Sequence, residues 1–366
     1  MNPVSLFDLE AMAEQVMPHH KWTFVDAGAA DEITVRRNRE AFDEITVNPR
    51  FLVDVGNRDS SIEVLGEKID FPVMVAPAGS QRDVHPDGER ATAAAAGAMG
   101  TLYALPTGSG YSIEEVAQVA TGPLWFQLYH FDDDVSELLV TRAKAAGYKA
   151  ICLTIDTPSP SPKERDVRNA HIPTPGLYWG SLRRPVDRTD LIERRSVGIP
   201  DMMDWEPPEY SGLTWERLDW LRNLTGLPLV IKGIRTLEDA VMCAEYGADA
   251  IVVSNHGGRQ LDCTRSSIET LPEIADAVGD NLEIYLDSGV RRGMDALKAI
   301  ALGARGVFVG RPLFWGLANG GEAGVRKMLD ILRIEFGRAM AYCGCRTVDD
   351  IHRGLVSLNS DFRTRV

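Results

Sequence analysis

The chain has 366 residues, 44% of them hydrophobic and 25% charged, with a formal net charge of -14. No apolar run approaches the length of a bilayer span, and the negative balance, without a basic patch interleaved with aromatics, argues against a phosphate-backbone partner. Membrane-spanning and nucleic-acid-binding roles are therefore set aside. The length allows one large α/β barrel or two ordinary domains. Five scattered cysteines, an odd number, suit a reducing compartment, and the N-terminus reads as an acidic amphipathic helix, not a signal peptide. The cytoplasm is the expected location.

In chain order, residues 1–65 read as an N-terminal helical cap. Eight short β-branched, continuously apolar runs follow, each leading into polar or glycine-rich residues and then a helical pattern: 71–76, 101–105, 124–129, 150–156, 228–233, 250–255, 282–287 and 306–310. Continuous apolarity suits parallel strands covered on both faces. Eight βα units, with no G-x-G-x-x-G fingerprint after a strand, favour an α/β fold of the (β/α)8 TIM-barrel type over a doubly wound sheet, and hence a single domain over 1–366. The stretch 163–213 is too long for an ordinary βα loop and falls on the catalytic rim after strand four, which makes it a candidate lid.

Barrel enzymes build their sites from residues at the C-terminal ends of the strands. Here those positions hold Pro77, Ala78 and Gly79; Gln127 and Tyr129; Thr154 and Asp156; Lys232; Ser254, His256 and Arg259; Asp287; and Gly310 with Arg311. Any one of them has an ordinary structural use, since a lone histidine is usually a hydrogen-bonded structural residue and a lone aspartate a helix cap. Their convergence on one rim points to chemistry. The loops "DSGVRRG" and "VGRP" after strands seven and eight bring Gly289 with Arg291 and Gly310 with Arg311, a pattern suited to a phosphate-bearing ligand. The seven histidines show no metal-ligand spacing, so no metal is expected.

The run "SNHGGRQLD" at 254–262, with "FQLY" at 126–129, "LTIDTP" at 153–158, "IKGI" at 231–234, "LDSGVRRG" at 286–293 and "VGRP" at 309–312, resembles the FMN-dependent 2-hydroxy-acid oxidases and dehydrogenases, the family of glycolate oxidase, lactate oxidase and mandelate dehydrogenase. The resemblance spans nearly the whole chain and is weak only in the insert after strand four. It implies FMN across the barrel mouth, with the phosphate on Gly289, Arg291, Gly310 and Arg311 and the ribityl hydroxyls on Asp287. It also implies Lys232 beside the N1 and O2 edge of the flavin, Gln127, Thr154 and Ser254 on the ring's polar edge, and the backbone of Ala78 and Gly79 near N5. His256 becomes the base, oriented by Asp156, while Arg259 clamps a substrate carboxylate and Tyr129 bonds the substrate. His256 takes either the α-hydrogen as a proton or the hydroxyl proton while hydride leaves; the resemblance leaves both routes open.

This chain departs from the family around the substrate. Phe24 stands where a tyrosine is usual, Lys163 where an arginine is usual, Pro106 next to Thr107 where a serine is frequent, and Gly108 where small-acid oxidases carry a larger residue. Lost hydroxyl and bulk imply an (S)-2-hydroxy acid bulkier or more apolar than glycolate or lactate. Gly79 leaves oxidase, dehydrogenase and decarboxylating monooxygenase behaviour open, and the altered carboxylate contacts leave room for an amine or peptide-derived substrate. The resemblance further implies a homo-oligomer, a tetramer or octamer, with a small-molecule substrate; the insert after strand four mixes both charge signs and lacks a continuous apolar face, so no membrane partner is expected.

Overall fold

The computed structural model describes residues 2–159, 161, 163–169, 180–182 and 213–358. Most of the stretch expected to form a lid, 163–213, lies outside these residues.

The eight apolar runs form strands β4 (Val73–Val75), β5 (Tyr103–Pro106), β6 (Leu124–Leu128), β7 (Ala150–Thr154), β8 (Leu229–Ile234), β9 (Ala250–Val253), β10 (Glu283–Leu286) and β11 (Gly306–Val309). They pair in parallel, each with its sequence neighbours, and β11 returns to β4 to close a barrel. Nearly every strand residue is buried, which is why the runs lack polar alternation. Trp125, Tyr285 and Phe308 pack together inside it, with ring centroids 5.4–6.0 Å apart and Tyr285 edge-on to the other two, so the interior is a filled core.

The N-terminal region is not wholly helical. Helices Leu6–Val16, His19–Asp26 and Ile33–Asp43 are followed by β1 (Ile45–Val47), which pairs antiparallel with β12 (Val356–Leu358), and by a hairpin of β2 (Ile62–Val64) and β3 (Glu67–Ile69) that straddles the expected boundary at 65. The reason is local: Leu65 and Gly66 both take positive φ, the requirement of a two-residue hairpin turn. Leu65 N–H donates to the Glu283 carboxylate at the N-terminal end of β10, so the hairpin covers the floor of the barrel, away from the chemistry.

Two irregularities position the site. Between Lys232 and Ile234 the β8–β9 register slips, and Gly233 at the slip has φ +113°; a Cβ there would lie 2.7 Å from the Asp156 Cβ. After β9 the chain makes a short 3₁₀ turn, His256–Gly258, in which His256, Gly257 and Gly258 all have positive φ.

Candidate active site

Glycine adopts this left-handed conformation freely, but histidine at φ 57° does not, and the strain is of order ~1–3 kcal/mol. The surrounding residues hold it in place. Asn255 and Asn38 form a reciprocal amide pair (2.9 and 2.7 Å), and Asn255 Oδ1 also accepts from Gly258 N–H at 3.0 Å. The Ser254 hydroxyl accepts from His256 N–H at 3.1 Å, and that of Ser288 from Gly257 N–H at 3.0 Å.

The turn brings His256 Nδ1 to 2.9 Å from Asp156 Oδ1. Burial alone would raise the Asp156 carboxyl, but the His256 imidazole, Lys232 and Arg235 outweigh it and hold Asp156 below the ordinary carboxylate range. An ionised Asp156 accepts only, so Nδ1 carries the proton and Nε2 keeps a lone pair. The imidazole retains 22% side-chain exposure against 4% for Asp156, so the basic nitrogen belongs to the accessible part of the pair.

Beside this pair, buried Lys232 donates to Ser254 Oγ at 2.9 Å and lies 3.0 Å from Asp287 Oδ2. Burial disfavours the ammonium, yet Asp287 and Asp156 more than compensate and its pKa is raised; the charge is fixed. The other Asp287 oxygen accepts from Ser288 at 2.7 Å. At the ends of β6 and β7, Gln127 Nε2 and Thr154 Oγ1 are buried without a hydrogen-bond partner among the described residues. Gln127 cannot turn to satisfy itself, because its Oε1 is fixed by Thr107 N–H at 3.1 Å. Thr107 also donates to the Gln127 carbonyl (2.5 Å) and accepts from Tyr129 N–H (3.0 Å), so it orders two of the expected site residues.

The two arginines expected at a phosphate are half-buried cations. Burial, and next the neighbouring charges of Arg259 and Arg291, push Arg311 down to about 9; burial pushes Arg291 down to about 10 despite Glu10. A bound anion would relieve both. Arg291 lies 4.9 Å from the centre of the Trp315 ring and donates to Val290 O at 2.9 Å. Arg311 also ties the chain together, donating to the carbonyls of Val25 (3.2 Å), Gly257 (2.8 Å) and Ala27 (3.1 Å). Gly289 sits at φ +97°, where a Cβ would fall 2.1 Å from Asn38 O, and a Cβ on Gly310 would meet nothing closer than 4.0 Å. One loop must be glycine for its own path, and the other leaves the backbone approachable.

On the substrate side, Arg259 donates to the carbonyls of Phe24 (2.8 Å) and Ala27 (2.7 Å), and its guanidinium carbon lies 5.3 Å from the centre of the Phe24 ring. Phe24 thus supports Arg259 through its ring face where a tyrosine would add a hydroxyl. Lys163, half-buried, donates to Ser161 O at 3.2 Å; desolvation and then the charge of Arg259 push it down to about 7. Asp166 lies near both, with its carboxyl raised by burial. Arg165 bridges Asp26 (2.8 Å) and Glu32 (2.7 Å), fastening this segment to the N-terminal helices.

His256, Asp156, Lys232, Ser254 and Asp287 therefore form one connected group, and Gln127 and Tyr129 are joined through Thr107. Arg259 and Arg311 share the 24–27 carbonyls with Phe24. Sequence reasoning gave Thr107 only as the neighbour of Pro106, and it missed Asn38, Asn255 and Ser288, two of which stand inside the quoted motifs.

The model of the FMN-dependent dehydrogenase family matches residues 13–358. The chain belongs to this family. It is 43% identical to an L-lactate oxidase from Nostoc sp., over 98% of this chain and 99% of that protein. It is 42% identical to glycolate oxidase 1 from Oryza sativa subsp. indica, over 98% and 96%. Among solved structures it is similar to a mandelate oxidase with (S)-2-phenylpropionate (TM-score 0.86, 38% identity, 97% and 98% coverage) and to a mandelate oxidase with benzoyl-formic acid (0.87, 39%, 97% and 98%). FMN is its cofactor, and the chain's residues fit it: two orphaned polar atoms for a heteroaromatic edge, a fixed ammonium, and half-buried arginines beside the approachable Gly310 backbone for a phosphate.

Proposed function

We propose that this enzyme oxidises an (S)-2-hydroxy acid to the 2-oxo acid at the mouth of the barrel, and that the acid is bulkier or more apolar than glycolate or lactate. The observation that carries the reading is the His256–Asp156 pair at 2.9 Å, with Arg259 on the same short turn. FMN, when bound, supplies the two-electron acceptor. His256 Nε2 takes a proton from the substrate, and Asp156 stabilises the imidazolium that results. Arg259 and Lys163 hold the substrate carboxylate, and Tyr129 hydrogen-bonds the substrate. Lys232 supplies fixed positive charge where the flavin gains electrons, favouring its reduced form. Gln127, Thr154, Ser254 and the backbone of Ala78 and Gly79 position the ring; Asp287 holds the ribityl chain; Gly289, Arg291, Gly310 and Arg311 take the phosphate.

Phe24 and Gly108 support the bulkier substrate, since one removes a hydroxyl and the other a side chain from the pocket wall. The likeness to mandelate oxidase supports it too. The test is anaerobic mixing of the yellow holoenzyme with (S)-2-hydroxy acids running from glycolate to aryl and long-chain acids. Fastest bleaching by an aryl or long-chain acid is expected, and the rate of recolouring in air separates oxidase from dehydrogenase. Faster bleaching by glycolate or lactate would refute the size argument; bleaching by none of the acids would refute the substrate class.

A further inference from the structure

The loop after β4 carries Ala78 and Gly79 and ends in a strained turn. Buried Ser80 has φ 63°, a conformation that a residue other than glycine keeps only where its surroundings enforce it. The turn starts the short helix Gln81–Val84, and the fully buried Gln81 side chain reaches back to the loop it has just left. Its Nε2 lies 2.8 Å from Ala78 O and 2.8 Å from the hydroxyl of Tyr103, at the start of β5; its Oε1 lies 2.6 Å from the hydroxyl of Thr92, on helix Gly88–Ala98. A carbonyl only accepts, so the atom facing Ala78 O is the amide nitrogen. Both of its protons are used, and Thr92 donates to the amide oxygen, which locks the amide in this orientation. By contrast, the N–H groups of Ala78 and Gly79 donate to nothing among the described residues, and Ser80 N–H reaches Gly108 O only at 3.5 Å.

We propose that Gln81 is a positioning residue for the flavin ring: by holding the Ala78 carbonyl it sets the direction of the Gly79 N–H. The two groups belong to one peptide unit, which is planar and trans, so the N–H points opposite to the C=O and away from Gln81. Gln81 thus occupies one end of the peptide and leaves the other for a ligand acceptor. The proposal rests on the reading of the barrel mouth as the FMN site, where that acceptor is N5 of the flavin. In the oxidised flavin N5 accepts a hydrogen bond, whereas in the reduced flavin it carries a proton of its own. A fixed Gly79 N–H therefore favours the oxidised form, and a peptide released by Gln81 loses that preference.

Three variants separate this role from general support of the loop. Gln81→Met keeps the length but releases Ala78, Tyr103 and Thr92; Gln81→Asn stays polar but falls one methylene short; Tyr103→Phe removes the buried Gln81–Tyr103 bond and leaves Ala78 held. Each holoenzyme is titrated anaerobically with dithionite against a reference dye, which gives the midpoint potential without any substrate, and the Kd of oxidised FMN is read from flavin fluorescence. Oxidised FMN is expected to bind about three- to tenfold more weakly to Q81M and Q81N, the equivalent of one lost net hydrogen bond, with the reduced form little affected. The midpoint potential should then rise by about 15–30 mV, since tenfold corresponds to about 30 mV for a two-electron couple. Y103F should stay within about twofold in Kd and at the potential of the parent. A merely structural role would weaken both redox forms alike and leave the potential unmoved. If Q81M does not fold, Q81N decides. The proposal is overturned if the Gln81 variants that fold hold FMN at the parent's potential, or if Y103F shifts as far as they do. A parent whose flavin is bleached by dithionite but by no hydroxy acid would sink the proposed function and leave this test standing.

Discussion

Replacing Lys163 by arginine should remove a pH dependence that the lysine builds into substrate binding. Burial, reinforced by the Arg259 charge, pushes the Lys163 ammonium down to about 7. In the free enzyme it is charged below that pH and neutral above it. A charge-assisted hydrogen bond to a carboxylate is worth about 1.5–3 kcal/mol. Losing it should lower kcat/KM by about 10- to 100-fold as pH rises from 6 to 9. The fall should level off, because Arg259 keeps its charge throughout. In Lys163→Arg the descent should disappear, since guanidinium does not titrate in this range. Stability runs in the opposite sense. Folded Lys163 binds fewer protons than the unfolded chain between about 7 and its ordinary value, so its penalty is complete below pH 7 and fades as pH rises through that window. Anaerobic stopped-flow reduction of the flavin across the pH range gives the first quantity, and thermal unfolding gives the second. A parent whose kcat/KM is flat from pH 6 to 9, or an arginine variant with the same descent, would refute the assignment of Lys163 to the carboxylate.

Two further outcomes follow from the geometry. Asp156→Asn keeps the size of a buried group but removes the charge that holds the Nδ1 proton of His256; flavin reduction should slow by about 10²- to 10⁴-fold with FMN content unchanged, checked by single-turnover absorbance. Gly289→Ala forces a Cβ to 2.1 Å from Asn38 O at a positive φ and should cost about 2 kcal/mol or more together with FMN affinity, whereas Gly337→Ala, inside the helix Arg311–Tyr342 with nothing within 4 Å, should be neutral or stabilising by up to about 1 kcal/mol; urea unfolding of both variants makes the comparison.

The barrel was legible because its strands are buried on both faces and read as continuous apolar runs ending in polar residues, and SNHGGRQLD gave His256 and Arg259 directly. The missing parts depend on where distant segments meet. Asn38 pairs with Asn255 across 217 positions, and nothing local marks it as the support of the histidine turn. Strand β1 pairs with β12 across the length of the chain, and three residues are too few to show a period. The floor hairpin, which straddles the cap boundary expected at 65, has strands of three residues each, again too short to show a period. Arg311 reads from the sequence as a phosphate ligand; that it also grips the 25–27 carbonyls required the path of the N-terminal helices.

That last contact explains why the turn after β9 must carry two glycines as well as the histidine. A Cβ on Gly257 would lie 2.9 Å from Arg311 Nη1, which donates to the Gly257 carbonyl, and one on Gly258 would meet Val35 N and Cγ2 at 2.8 Å. Arg311 also shares the Ala27 carbonyl with Arg259. The turn that strains His256 against Asp156 is thus packed on one side by the arginine proposed for the cofactor phosphate and continues directly into the arginine proposed for the substrate. A side chain at either glycine would displace His256, Arg259 and Arg311 together. The strain at His256 is the local cost of bringing all three to a single turn, and the Asn38–Asn255 pair keeps the turn from relaxing.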